Sequence, residues 1–208
     1  MNLQEHNKPS GSEQRPVDGA PLDDTPDEDW GPLSTLPGNP MMWLLIWSEL
    51  LVFGALFIGF AVARALEPDV FTASQDSLNR LAGAINTMVL ITSGFFAALA
   101  VNAQTNGKIG QMRGWIAGAI ALGLVFLGIK WIEYSEKAAH GIGIETNNFY
   151  TLYYLTTGFH AMHVVFGIAI LLIVGWKNSD DNLETGTAFW HMVDLVWVIL
   201  FPLIYLMR

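Results

Sequence analysis

The sequence contains no cysteine among its 208 residues, and only 14% of them are charged. Without cysteine the chain has no disulfide, thiolate nucleophile, Cys-ligated zinc, iron–sulfur cluster or c-type haem attachment. Ten residues are Lys or Arg, too few for a basic surface that neutralises phosphates, so we expect no nucleic-acid partner. The first residues lack the basic and apolar regions of a signal peptide, and we expect internal segments to direct membrane insertion.

The sequence is instead rich in hydrophobic residues, which make up 52% of it, and its net charge is −9. Residues 1–38 contain two basic and eight acidic residues, so this segment holds six of the nine excess negative charges. Seven of the nine prolines lie in residues 1–40. Such a segment cannot bury enough apolar surface to offset the entropy of ordering it. We therefore predict a disordered, acidic, Pro-rich tail over residues 1–39 without a catalytic role, followed by a membrane domain over residues 40–208.

Five apolar stretches follow the tail, each long enough to cross about 30 Å of hydrocarbon. They cover residues 41–65, 79–103, 113–136, 149–175 and 187–207. The predicted fold class is therefore all-α, an integral membrane bundle of five transmembrane helices. An odd number of spans places the termini on opposite faces, called here face A (the N-terminal side) and face B. Basic residues are divided almost evenly between the two faces, so the positive-inside rule does not orient the chain.

Two further patterns concern packing and the membrane interface. All five tyrosines fall toward face B, as in an interfacial aromatic belt. Small residues at a spacing of four, such as Gly94 with Ala98 and Gly114 with Gly118, predict close contacts between helices.

Ionisable side chains inside the spans are costly in lipid, so each one is a candidate functional group. Glu49 lies in the first span, where it could exchange protons or form a protonated carboxyl bonded to a neighbouring helix. His160 and His163 lie three residues apart in the fourth span, on one helix face, as metal ligands would. Two imidazoles do not complete a metal site, and hydrogen bonds to backbone or to carboxyls of adjacent spans are the alternative.

The fifth span carries His191 and Asp194, also three residues apart. The aspartate could orient the imidazole, relay a proton or form a static polar bridge between helices. Counted from the span midpoints, Glu49, His163, His191 and Asp194 fall within about 7 Å of the central plane. We therefore predict that these four side chains can form one polar layer.

Three other polar residues predict contacts between helices or within one. Lys130 and Glu133 lie one turn apart near the end of the third span and predict a structural ion pair. Asn86 in the second span can bond to a neighbouring helix. The histidine and aspartate pairs lack the Glu-x-x-His repeats of di-iron bundles, so we predict no metal or haem on this chain. The residues alone still leave open a small transporter or proton channel, or a cytochrome that binds haem through its histidines.

Three motifs in order resemble subunit III of the haem–copper oxidases. They are Ser48-Glu49, then Phe159-His160-x-x-His163-Val164-x-x-Gly167, and last Trp190-His191-x-x-Asp194-x-Val196-Trp197. Within that superfamily the five spans, the run 86–93 and Lys130-x-x-Glu133-Tyr134 look most like the short, NorE-like branch associated with nitric oxide reductase. The third subunits of quinol and cytochrome c oxidases are also similar, although Ala161 replaces a glycine that is common in them.

The resemblance implies an accessory subunit that carries no haem or copper and packs against a haem-bearing catalytic subunit. The partner would hold haem together with copper or non-haem iron. Members of the family are thought to stabilise the complex, hold phospholipid and support proton uptake, and Glu49 matches the family's intramembrane carboxylate. The resemblance also implies a bacterial inner (plasma) membrane protein with a cytoplasmic N-terminus and a periplasmic C-terminus.

Overall fold

The computed structural model describes residues 40–177 and 180–207, and the secondary structure in these ranges is helical. The helices are α1 (Pro40–Leu66), α2 (Pro68–Asp76), α3 (Arg80–Thr105), α4 (Ile109–Ala139), α5 (Asn148–Lys177) and α6 (Asp180–Phe201), which continues as a π-helical turn over Pro202–Leu206. Five of the helices are long and apolar enough to cross a membrane, so the predicted five-span bundle is confirmed. The predicted tail, residues 1–39, lies outside the described residues.

Helix α2 is a short element on face B that lies outside the five predicted spans. It begins at Pro68, a residue suited to the first helical turn because it has no N–H to satisfy. The buried ring of Phe71 packs edge-on against Phe149 of α5, with centroids 5.4 Å apart. Gln75 donates from Nε2 to the carbonyl of Ile204 at 2.8 Å. The helix thus joins α5 to the end of α6 at face B.

Tight glycine turns end α3 and α4. Gly107 and Gly141 have φ of +70° and +72°, the left-handed conformation in which glycine avoids a side-chain clash. After α3, the N–H of Lys108 donates to the carbonyl of Ala103 at 2.9 Å, the long bond of a Schellman cap. Such caps end a helix within a few residues, so α3 and α4 become close antiparallel neighbours.

Helix α6 is the centre of the bundle and packs on α5, α3 and α1, while α4 packs on α3 and α5. Its Trp190 and Trp197 are fully buried. The Trp190 ring lies where a Cβ on Gly123 or Gly167 would stand, so these two glycines make room for it. Its Nε1 donates to Ser93 Oγ at 3.1 Å. Helix α1 lies at the periphery, and most of its surface is exposed.

The π-helical turn at the end of α6 follows from Pro202, which has no N–H and disturbs the regular helical ladder. The N–H of Met207 donates to the carbonyl of Pro202 at 2.9 Å, five residues back. Tyr205 in this turn is buried, with its hydroxyl among the polar residues of α4 and α5.

Candidate functional site

Glu49 and His163 form a polar pair between α1 and α5. His163 Nε2 lies 2.9 Å from Glu49 Oε2, although the two residues are 114 positions apart in the sequence. The other ring nitrogen, Nδ1, lies 2.8 Å from the carbonyl of Phe159, one turn earlier in α5. Phe53 covers the imidazole from the bundle side, with centroids 5.3 Å apart. The pair therefore holds a carboxyl and an imidazole in one fixed orientation.

The carbonyl of Phe159 determines where the protons of this pair can lie. A carbonyl oxygen only accepts hydrogen bonds, so His163 Nδ1 must carry a proton to bond to it. Nε2 then either accepts a hydrogen bond from the neutral Glu49 carboxyl or, when it carries a proton, donates one to the ionised carboxylate. Both states use the same 2.9 Å contact. The geometry thus suits transfer of one proton between the two side chains.

The pair lies beside a pocket at the outer surface of the bundle. The pocket has a volume of about 190 Å³ and is lined by Leu45, Glu49, Met162, His163, Phe166 and Phe189. Leu45, Met162 and Phe166 are exposed, and the Glu49 side chain is 24% exposed. The Glu49 carboxyl is therefore accessible from outside the bundle.

His160 lies one turn away from His163 on α5 in a different environment. Its ring is fully buried, stacked on Trp197 at 5.1 Å and packed edge-on against Phe126 at 5.6 Å. Neither ring nitrogen bonds to any residue in the ranges 40–177 and 180–207. His160 and His163 thus share a helix face, as predicted, but do not point to a common ligand position.

His191 and Asp194 converge on Gly94 of α3, whose missing side chain makes room for them. A Cβ on Gly94 would collide with the Asp194 carboxylate and would lie 3.4 Å from His191 Nδ1. Asp194 is buried and His191 is exposed. In the described part of the chain no hydrogen bond joins them to each other or to Glu49. The structure therefore divides the predicted polar layer into two pairs on different helix contacts.

Lys130 and Glu133 form the predicted ion pair, and it is almost completely buried. Lys130 Nζ donates to Glu133 Oε2 at 2.9 Å, and the side chains are 3% and 7% exposed. Tyr153 of α5 and Tyr205 of the π-helical turn both donate to Glu133 Oε1, at 2.8 and 2.7 Å. Their hydroxyls also lie 3.2 and 3.1 Å from Lys130 Nζ. This four-residue set, called here the Lys–Glu–Tyr cluster, ties α4, α5 and the end of α6 together.

The interfacial belt predicted for the five tyrosines is wrong for Tyr150, Tyr153 and Tyr205, since all three are buried inside the bundle. A signal was present: Lys130 and Glu133 are too costly to leave alone in an apolar span, so hydroxyl partners at the same depth were required. Asn86, as predicted, reaches a neighbouring helix, and its Nδ2 lies 3.4 Å from the carbonyl of Phe126 on α4.

Residues 40–177 and 180–207 contain no group of three or more His, Asp or Glu side chains that could hold a metal ion. Long apolar helices enclose polar groups in pairs and in one closed cluster. This combination defines a polytopic α-helical membrane protein whose helices are joined inside the bundle by the Glu49–His163 contact and the Lys–Glu–Tyr cluster.

The family is established by comparison with known proteins. The cytochrome c oxidase subunit III family matches residues 38–208, and the chain belongs to that family. The cytochrome c oxidase subunit 3 of Thermostichus vulcanus is 33% identical over 182 residues, which cover 82% of this chain and 89% of that protein. A protein of Mycobacterium bovis named probable cytochrome c oxidase subunit 3 is 33% identical over 83% of this chain and 90% of its own length. The subunit 3 of Synechocystis is 30% identical, over 79% of this chain and 73% of that protein.

Proposed function

We propose that this chain is the accessory subunit of a respiratory haem–copper oxidase complex, without a catalytic centre of its own. It would pack in the bacterial membrane against the haem-bearing catalytic subunit, stabilise that subunit and support its proton uptake. Family membership over residues 38–208 supports this function over a stand-alone transporter. The environments of His160 and His163 argue against haem ligation by these two residues, because His163 is bonded on both ring nitrogens and His160 is enclosed by aromatic rings.

The contact between Glu49 and His163 is the observation that carries the proton role. One proton can lie on either side of the contact between the two groups, and the carboxyl is accessible at the outer pocket. Because one contact accommodates the proton on either side chain, the pair can accept and pass on a proton without a change in backbone structure. We propose that Glu49 and His163 buffer protons for the partner's uptake path.

Replacement of Glu49 by Gln in the intact complex tests this role. Glutamine keeps the shape and can still bond to His163, but it cannot accept or release a proton. We expect slower turnover, or a shorter catalytic lifetime during sustained turnover, at unchanged haem content. Glu184→Gln, at an exposed position near the start of α6, is the matched control. An unchanged turnover rate and an unchanged catalytic lifetime in Glu49→Gln would refute the proposed proton role.

The substrate of the partner is a separate question. The relatives named cytochrome c oxidase subunit 3 support an oxygen-reducing partner. The run 86–93 and Lys130-x-x-Glu133-Tyr134 support the alternative, a nitric oxide reductase active in denitrification. Purification of the complex through a tag on this chain, followed by measurement of oxygen and nitric oxide consumption, separates the two partners.

A groove between α4 and α5 supports the proposal that the subunit also binds phospholipid. It has a volume of about 530 Å³, and its walls are largely apolar, including Ile116 and Leu171. Arg113 and Trp176 lie in the same lining, near the face A ends of their helices. Apolar walls suit an acyl chain, and the guanidinium suits an anionic headgroup. Mass spectrometry of the same purified complex identifies the lipid retained.

A further inference from the structure

Helix α6 is mostly buried but exposes one strip near the middle of its span. Exposed residues of this strip are His191, Leu195, Val198 and Ile199. At 100° per residue these four positions fall within one third of the helix circumference, so they form a continuous surface. We call this surface the α6 strip.

Two helices flank the α6 strip. On one side, Trp197 Nε1 donates to Thr87 Oγ1 of α3 at 3.0 Å, and His191 Nδ1 faces Gly94 of the same helix. On the other side α1 packs on α6, and Leu45 of α1 lines the outer pocket together with Phe189. The strip is therefore the floor of a trough with α1 and α3 as its walls.

His191 makes this trough unsuitable for lipid alone. Its imidazole lies near the middle of the span Asn182–Leu206 and is exposed, and no residue of the described ranges bonds to it. A polar group without a partner in hydrocarbon is costly, whereas the apolar residues Leu195 and Val198 beside it suit a packed helix. Exposed positions on α4 and α5, such as Leu124 and Val165, are apolar and compatible with lipid.

We infer that the trough seats a transmembrane helix of the haem-bearing catalytic subunit, with a hydrogen-bonding side chain opposite His191. The inference rests on the proposed function, which supplies the partner but not the face that it contacts. Helices pack at about 8–10 Å between axes, close enough for a carboxyl, amide or hydroxyl group on the partner helix to reach the imidazole. The interface is thus assigned to α6 with α1 and α3, and not to the outer faces of α4 and α5.

Cross-linking from single cysteines tests this face directly, because the chain contains no native cysteine. Leu195→Cys places the thiol on the α6 strip, and Val165→Cys places it on the outer face of α5, at nearly the same exposure of the native side chains, 51% and 54%. Each variant is labelled with a photoreactive maleimide in detergent after release from the haem-bearing subunit, recombined with that subunit in liposomes and then irradiated. We expect Leu195→Cys to cross-link to the haem-bearing subunit, identified by mass spectrometry, and Val165→Cys to give no such product.

Three outcomes would overturn the inference: cross-linking from Val165→Cys but not from Leu195→Cys, adducts of Leu195→Cys with lipid alone, or a product of two copies of this chain. If no haem-bearing subunit co-purifies with the wild-type chain, the proposed function itself is refuted. The two failures are therefore distinguishable.

A second measurement tests the hydrogen bond at His191. We expect His191→Phe to reduce the amount of haem-bearing subunit retained on the tagged chain by about tenfold, and His191→Gln to retain most of it. Leu195→Trp should release the partner as well, whereas Val165→Trp should not. Equal retention in His191→Phe and wild type would show that the imidazole has no partner in the complex. The thermal midpoint of each chain shows that the variants remain folded.

Discussion

The buried pair of Lys130 and Glu133 allows a stability prediction whose size follows from the structure. Glu133 accepts three hydrogen bonds, from Lys130, Tyr153 and Tyr205, at 2.7–2.9 Å. Glu133→Leu leaves an ammonium group and two phenols without that acceptor, in a site that water does not reach. Removing one member of a buried ion pair costs about 3–5 kcal/mol, so we expect a loss of that size in the free energy of unfolding. Lys130→Met should cost a similar amount, since it leaves the carboxylate without a cation.

The double variant Lys130→Met/Glu133→Leu distinguishes a closed pair from two independent contributions. It removes both charges, so we expect it to lose no more than either single variant, with a coupling energy of about 3 kcal/mol. Arg80→Gln breaks the exposed pair with Asp76, whose side chains are 39% and 54% exposed, and should cost about 1 kcal/mol or less. Unfolding in mixed detergent micelles, followed by tryptophan fluorescence, measures all four variants. Additive single effects, or single effects below about 1 kcal/mol, would refute this account of the cluster.

Two further predictions concern packing and orientation. Gly94→Ala should lower the free energy of unfolding by about 1–3 kcal/mol, because the new Cβ collides with a buried carboxylate. Gly128→Ala is the control and should be tolerated, since a Cβ there meets nothing within 4 Å. Equal thermal midpoints in the two variants would contradict this. The proposed orientation has the N-terminus in the cytoplasm and the C-terminus in the periplasm. Gly143→Cys, in the α4–α5 loop, should then react with an impermeant maleimide added outside the inner membrane, and Lys108→Cys, in the α3–α4 turn, should not. The reverse labelling would show the opposite orientation.

The spans could be predicted from the sequence because a membrane imposes a length on each apolar stretch. Helix α2 could not, since it has nine residues and only Phe71 among its apolar side chains is buried. Its position depends on an aromatic contact with Phe149 and on a bond from Gln75 to the end of α6, residues far apart in the sequence. A short helix stabilised by its neighbours leaves little periodicity to detect.

The candidate residues were also predictable, but their partners were not. Depth along a span places Glu49, His163, His191 and Asp194 near one plane, yet it says nothing about the direction in which each helix face points. The structure pairs Glu49 with His163 and turns His191 and Asp194 toward Gly94. The small-residue pattern has the same limit. Gly94 lies at a close contact, whereas a Cβ on Gly114 would meet nothing within 4 Å, although both glycines belong to predicted pairs.

The polar groups of this bundle are of two kinds: those enclosed in a fully bonded cluster and those accessible from outside the bundle. In the Lys–Glu–Tyr cluster the donors and acceptors satisfy one another between three helical segments, and the side chains of Lys130 and Glu133 are almost inaccessible. A closed cluster of this kind exchanges protons poorly and acts on stability, because every change breaks an internal bond. Glu49 and His191 are different: each remains accessible from outside the bundle at mid-span, at a cost that lipid does not compensate. In a subunit of a larger complex, the free-energy cost of exposing a polar group to lipid is offset only when a partner side chain or a water-filled proton path contacts that group. Glu49 and His191 are therefore the positions where substitution should change the complex while leaving the isolated bundle folded.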